Sequence, residues 1–196
     1  SCREHILRKK NGKIVSPSQL TEAWFKNTTK SNLDKARLLY VGRIRVEKGI
    51  FSFLKLFKNL KKDINLSIVT TKIDQSKIDN LENISCIDTQ SEESLIKTYD
   101  KNNIFILPSF TEGHPQVLDE ALARLRPVIV FDEIEHVKRD REGVFICKRN
   151  IQELNSIIEH ILKNYSQIQS KIKTNNLPNR ESFIGELKSI INEKKI

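Results

Sequence analysis

Six short apolar runs recur along the chain, and they constrain its fold more than any other feature of the sequence. Each run is apolar on both faces, which is typical of strands in a parallel sheet that is covered by helices on each side. Between most of the runs, apolar residues recur every three or four positions, which predicts amphipathic helices. The predicted strands lie at 38–44, 64–70, 84–88, 104–109, 127–132 and 144–148.

Predicted helices alternate with these strands, and that order predicts an α/β fold. Strict alternation with right-handed crossovers gives a Rossmann-like, doubly wound parallel sheet, here of about six strands. Ligands of such sheets bind outside the carboxyl ends of the strands, so the loops that follow the strands are the candidate sites. The predicted helices lie at 49–60, 74–82, 91–102, 115–126, 150–163, 165–173 and 181–193.

The length of 196 residues favours one domain with little more than a tail. We interpret residues 37–175 as the Rossmann-like domain and 176–196 as a C-terminal helix or tail. Residues 1–36 lack a clear period and are interpreted as a linker or the remnant of a preceding domain, with a short helix around 18–26. Within this segment we expect Trp24 to act as a packing anchor.

The charge distribution bears on possible partners. The net charge is +9, and residues 1–30 carry seven basic and two acidic side chains. A basic leader of this kind is either a solvated surface or a patch that attracts anionic lipid headgroups or a phosphorylated ligand. Nucleic acid is not expected, because no aromatic residues are interleaved with the basic ones. We expect a cytoplasmic protein that can contact the inner face of a membrane peripherally.

The three cysteines, Cys2, Cys86 and Cys147, are far apart and odd in number. Cys86 and Cys147 fall inside apolar strands, which indicates buried, reduced thiols rather than a disulfide framework. The sequence has no CxxC motif and no paired histidines that would suggest a zinc site.

The first candidate loop is YVGRIRVEKGI, residues 40–50. Arg43 follows the first strand, and Lys48 precedes the next helix. An arginine fork and a lysine point charge near a helix N-terminus suit a diphosphate. The loop has neither the GxGxxG nor the GxxxxGK[ST] fingerprint. The plainer interpretation, an exposed loop with ordinary surface charges, stays open.

The second candidate loop is PSFTEGHPQVLDEALA, residues 108–123. Pro115 suits the first helical position, since that position needs no amide partner, and His114 falls where a cap would sit. Glu112 lies before the helix and Glu120 in its second turn, where a carboxylate could accept hydrogen bonds from both hydroxyls of a ribose. We expect these two carboxylates to share one cleft with Arg43 and Lys48.

Together, VGRIRVEKG and FTEGHPQVLDEALA resemble the C-terminal, donor-binding domain of retaining glycosyltransferases with the GT-B fold, family 4. The resemblance covers about residues 37–164. It implies that the chain is one half of a GT-B fold. It also implies retaining transfer of a hexosyl group from a UDP-, GDP- or ADP-sugar to a saccharide or lipid-linked acceptor, as in polysaccharide biosynthesis. The acceptor would be held by an N-terminal domain of the same full-length protein.

The resemblance also implies roles for single residues. Arg43 and Lys48 would hold the diphosphate and offset charge on the leaving group, Glu112 would contact the donor sugar, and Glu120 would bind the ribose. No metal ion and no other cofactor would be needed, because the cations and the helix dipole take that part. The remaining implied donor contacts are the base at Ile87 and the loop at Gly113, His114, Pro115, Gln116 and Val117.

Two departures from the family pattern and two alternatives stay open. Pro115 stands where many members have glycine, so the phosphate cradle has one amide donor fewer. The loop after the fifth strand reads DEIEHVKRD and lacks the usual double glycine.

The alternatives are a non-catalytic Rossmann-like interaction or regulatory domain, and a GT-B nucleotide-sugar epimerase. The segment 181–193 resembles the helix that crosses to the other domain, and it should either pack on its own sheet or extend away.

Overall fold

The computed structural model describes residues 15–29, 31–61, 63–70, 83–88 and 91–193. Six strands form one sheet in the order β3-β2-β1-β4-β5-β6, and every neighbouring pair is parallel. This arrangement confirms the predicted Rossmann-like, doubly wound α/β fold. The strands are β1 Arg37–Val41, β2 Asn65–Val69, β3 Ile84–Ile87, β4 Ile104–Leu107, β5 Val128–Phe131 and β6 Val144–Cys147.

The helices lie close to their predicted positions along the chain. They are α1 Ile50–Phe57, α2 Glu92–Lys101, α3 Gln116–Ala123, α4 Ile151–Lys163, α5 Tyr165–Ile172 and α6 Arg180–Glu193. Short 3-10 helices occupy Glu22–Phe25, Val46–Lys48 and Asp132–Val137. The predicted helix at 74–82 lies outside the described residues. None of the described helices is both long enough and apolar enough to cross a membrane.

The core lies on both faces of the inner strands, most completely at β4 and β5. Every residue of β4 and β5 is buried, as expected for strands covered by helices on each side. Cys147 is a buried thiol, as expected, whereas Cys86 is only partly buried. The strand order reverses between β1 and β4, which lie side by side. A reversal of this kind opens a crevice at the carboxyl ends of the two strands.

Gly49 brings the loop after β1 against the end of β4. Its φ is +63°, and a Cβ at this position would lie 1.8 Å from the carbonyl oxygen of Pro108. The amide of Phe110 also donates to the carbonyl of Glu47 at 3.0 Å. Only glycine combines this conformation with such a close approach, so the two candidate loops are fixed to each other.

Residues 15–29 pack on the domain rather than forming a separate linker. Trp24 is buried, as predicted for an anchor, and meets the Tyr99 ring edge-on at 5.4 Å. The buried guanidinium of Arg124 donates to the carbonyls of Trp24, Lys26 and Asn27. The packed body therefore begins before the boundary that we interpreted at residue 36.

Helix α6 differs from the other α-helices because none of its described side chains is buried. Ile184 and Ile191 expose 39% and 56% of their surface. The start of the helix is tied to the leader, since the amide of Arg180 donates to the carbonyl of Leu20 at 2.8 Å. Of the two outcomes considered for this segment, packing on its own sheet is therefore not what the structure shows.

Candidate functional site

A cavity of about 280 Å³ lies at the crevice between the ends of β1 and β4. The two candidate loops form its walls, together with the first turn of α3, as the sequence predicts. Its lining residues are Tyr40, Val41, Gly42, Arg43, Lys48, Leu107, Ser109, Glu112, His114, Pro115, Gln116 and Val117.

An ion pair joins the two loops inside this cavity. The ammonium of Lys48 donates to Oε1 of Glu112 at 2.7 Å, and the Ser109 hydroxyl donates to the same oxygen, also at 2.7 Å. The side chains of Lys48 and Glu112 are 24% and 11% exposed. A charge pair this sheltered from solvent is screened less than a surface pair. The cation and the carboxylate are therefore positioned before any ligand arrives.

Tyr40 holds the turn that carries Arg43. Its hydroxyl donates to the carbonyl of Arg43 at 2.7 Å. Burial raises the pKa of Tyr40, and the negative charge of Glu112 raises it further, so the phenol keeps the proton that it donates. A Cβ at Gly42 would lie 2.8 Å from the Tyr40 hydroxyl oxygen. The side chain of Arg43 itself is exposed and is free to turn towards a ligand.

The N-terminus of α3 opens on the same cavity. The helix begins at Gln116, one residue later than predicted, because Pro115 has an extended ψ of 107°. His114 does not cap the helix: Pro115 occupies the N-cap and makes no side-chain cap hydrogen bond. The first amides of a helix have no acceptor within the helix. The amides of Gln116 and Val117 therefore stand with the positive end of the helix dipole at the cavity wall.

The leader lies along this helix end. The carbonyl of Pro17 accepts hydrogen bonds from Nε2 of His114 at 3.1 Å and from Nε2 of Gln116 at 2.8 Å. Burial lowers the pKa of His114; the nearby Asp119 opposes this shift, and Arg139 and Arg141 add to it. The leader therefore holds two of the side chains that we had assigned to donor contacts, a relation that sequence reasoning missed.

Two further loops brace the loop of Glu112. His136 donates from Nε2 to the carbonyl of Glu112 at 2.7 Å. Arg149, which follows β6, donates to the carbonyl of Pro108 at 3.0 Å, and its guanidinium carbon lies 4.5 Å from the centre of the Phe110 ring. Sequence reasoning missed Arg149. Its place two residues after the end of β6, at the carboxyl edge of the sheet, is the signal that could have identified it.

Three of the expected donor-contacting residues do not line the cavity: Ile87, Gly113 and Glu120. Ile87 ends β3, and Gly113 is exposed. Glu120 lies one helical turn beyond Gln116, and its Oε2 accepts a hydrogen bond from the Tyr99 hydroxyl at 2.8 Å. Of the four side chains expected to share one cleft, three therefore line the cavity: Arg43, Lys48 and Glu112. Glu120 lies on the neighbouring turn of α3.

The settings of Glu120 and its neighbour Asp119 differ sharply. Burial raises the pKa of Glu120; the Tyr99 hydrogen bond opposes this shift, and the charges of Asp119 and Glu92 add to it. Asp119 is 1% exposed and accepts two hydrogen bonds from Arg141, at 2.8 and 3.1 Å. Within the described ranges, no three His, Cys, Asp or Glu side chains are grouped so that they could hold a metal ion.

Comparisons with known proteins bear on the family of the chain. The family model described as "Glycosyl transferases group 1" matches residues 22–177. An uncharacterized glycosyltransferase of Haemophilus influenzae is 29% identical, over 72% of this chain and 44% of that protein. The chain thus spans less than half the length of that curated relative.

Solved structures show the same fold. A glycosyltransferase from Rickettsia africae superposes with a TM-score of 0.74 at 15% identity, over 98% of this chain and 61% of that one. HepE of Anabaena, solved in complex with UDP and glucose, gives a TM-score of 0.65 at 13% identity, over 81% of this chain and 48% of that one. At these identities the likeness concerns the fold alone.

Proposed function

Because the chain belongs to the glycosyl transferases group 1 family, we propose that its cavity binds the diphosphate of a nucleotide sugar for retaining transfer of a hexosyl group. One observation carries the proposal: Lys48 and Glu112, from two different loops, are paired at 2.7 Å in a cavity that Arg43 and the N-terminus of α3 also line. Cationic side chains and helix amides are the groups that bind phosphate in proteins.

The proposed chemistry follows from these charges. As the bond between the anomeric carbon and the diphosphate breaks, negative charge grows on the diphosphate. Lys48 and the first amides of α3 would stabilise that charge without reorganisation, since they are already in place, and Arg43 would turn in to join them. This arrangement would make a bound metal unnecessary, and we expect EDTA to leave donor binding unchanged.

The remaining donor contacts are proposed from position. Glu112 lies in the cavity and would contact the donor sugar, while Glu120, one turn along α3, would accept hydrogen bonds from the ribose hydroxyls. Ile87 ends a strand at the same edge of the sheet and would lie beside the base. The presence of UDP and glucose in the complex of HepE, a structural relative, supports the use of UDP as a first probe.

The acceptor, a saccharide or a lipid-linked saccharide, would be held by an N-terminal domain of the full-length protein. Both structural relatives are longer than the part that this chain matches. A catalytic site built from two domains loses its positioning when one is absent. We therefore expect the 196 residues alone to bind a donor but to show little or no transfer.

Isothermal titration with UDP, GDP and ADP tests the proposal. At fixed ionic strength, Arg43→Ala and Lys48→Ala should each weaken binding by about 1–3 kcal/mol, the scale for loss of a charged hydrogen bond. Arg45→Ala is the matched control, because Arg45 lies in the same loop but does not line the cavity. The proposal fails if the folded protein binds none of the three nucleotides at millimolar concentration.

A further inference from the structure

Tyr99 occupies a position in α2 that fixes its ring completely. The residue is fully buried, and its ring meets Trp24 edge-on at 5.4 Å and stacks on Phe105 at 5.6 Å. Aromatic contacts of this kind hold a ring in one orientation. The hydroxyl therefore has a fixed place rather than a choice of rotamers.

That hydroxyl points at α3. It lies 2.8 Å from Oε2 of Glu120 and 3.3 Å from the carbonyl of Val117. A phenol has one proton to donate, and the carboxylate offers the shorter contact. Burial raises the pKa of Tyr99 well above its usual value, and Glu120 raises it further, so the phenol acts as a donor throughout the physiological range.

Several charged groups surround the carboxylate of Glu120. Asp119 on the same helix and Glu92 at the start of α2 carry negative charge that disfavours ionisation of Glu120, as burial does. Arg141 is committed to Asp119. The hydrogen bond from Tyr99 opposes protonation of Glu120. The ionised carboxylate acts only as an acceptor, whereas the protonated form has less acceptor capacity because one of its oxygens carries a proton.

We propose that Tyr99 is a positioning residue for the donor site: its hydroxyl donates to Oε2 of Glu120 and so holds and stabilises the carboxylate that accepts the ribose hydroxyls of a nucleotide. The inference rests on the proposed function, because that function is what makes Glu120 the acceptor for a ribose. Tyr99 touches neither the cavity nor the reacting atoms and acts through Glu120 alone.

The variant Tyr99→Phe tests this inference, because it removes the hydroxyl and keeps the ring. In the nucleotide-free chain, ¹³C NMR of the Glu120 carboxyl should show a pKa above that of the wild type. Binding of UDP, GDP or ADP, whichever the wild type binds, should be about threefold to tenfold weaker at neutral pH. The loss of affinity on acidification should begin at a higher pH than in the wild type.

Tyr165→Phe is the matched control. Tyr165, the first residue of α5, is also buried, and its hydroxyl donates to the carbonyl of Asn103 at 2.7 Å rather than to Glu120. Its loss should lower stability in the same way but leave both the Glu120 titration and nucleotide affinity unchanged. A merely structural Tyr99 would give the same result as this control.

The outcomes separate the two proposals. An unchanged Glu120 pKa in Tyr99→Phe overturns the inference, and so does an unchanged pH profile of nucleotide binding. If the wild type binds none of the three nucleotides, the proposed function fails, while the carboxyl titration still decides whether Tyr99 controls Glu120.

Discussion

Two adjacent carboxylates of α3 lie in opposite settings. Asp119 faces the loop between β5 and β6, and Nε and Nη2 of Arg141 donate to its two carboxylate oxygens. Glu120 faces α2 and accepts a hydrogen bond from a neutral phenol. A carboxylate that a guanidinium holds at both oxygens contributes to the fold. A carboxylate with a neutral partner and a raised pKa keeps capacity for further donors, which is a property expected at a binding site.

The largest effect, on the free energy of unfolding, should follow from breaking the ion pair of Asp119 with Arg141. Asp119→Ala leaves the guanidinium of Arg141, which is only 10% exposed, without its carboxylate. Removal of one partner from a buried ion pair is costly, and we expect a loss of about 3 kcal/mol in the free energy of unfolding. Urea denaturation at neutral pH measures this loss.

Glu93→Ala provides the control for that measurement. Glu93 is also a carboxylate in an ion pair, with Lys97, but its side chain is 77% exposed. Exposed pairs contribute little to stability, so this variant should unfold close to the wild type. Equal losses in the free energy of unfolding would show that the buried pair of Asp119 stabilises the fold no more than an exposed pair does.

Glu120→Gln should give the opposite pattern to Asp119→Ala. The amide keeps the size of the side chain and removes a charge that burial disfavours, so stability at neutral pH should be unchanged or slightly higher. Nucleotide affinity should fall by about 1–3 kcal/mol, since a charged acceptor is lost. Urea denaturation and isothermal titration of the same preparation separate the two effects. If Glu120→Gln lost as much stability as Asp119→Ala, the contrast between the two carboxylates would be wrong.

The smallest effect concerns pH. The pKa of Glu120 is raised on folding from its usual 4.5, so its protonated form contributes stability that is present below that value. This contribution is lost as the pH rises through the folded pKa. Measured from about pH 4 to about pH 8, wild-type stability should therefore fall relative to Glu120→Gln and then level off. A constant difference across this range would exclude a raised pKa.

The sequence predicted the fold well because the sheet depends on a simple pattern. Strands such as Ile104–Leu107 and Val128–Phe131 are apolar at every position, and only a parallel sheet with helices on both sides buries such strands throughout. The convergence of Lys48 and Glu112 was predictable for a related reason. The carboxyl ends of parallel strands meet at one edge of the sheet, so loops that follow neighbouring strands come together.

The polar contacts behind the cavity could not be predicted, because they depend on polar residues that become buried only through tertiary contacts. Arg124 and Arg126 resemble ordinary surface charges at the end of a helix, yet both are 1% exposed and both bind Asp100. They hold the leader onto the domain, which a linker interpretation misses. Tyr99 similarly looks like any other core aromatic residue in the sequence, and only the folded structure shows that its hydroxyl points at Glu120.

A crystal structure with the nucleotide that binds best tests the central claim most directly. The account predicts phosphate oxygens within about 3 Å of the Lys48 ammonium and of the first amides of α3, with the ribose hydroxyls on Glu120. A nucleotide bound elsewhere on the chain, with this cavity empty, would contradict the account and leave only the fold and the family assignment standing.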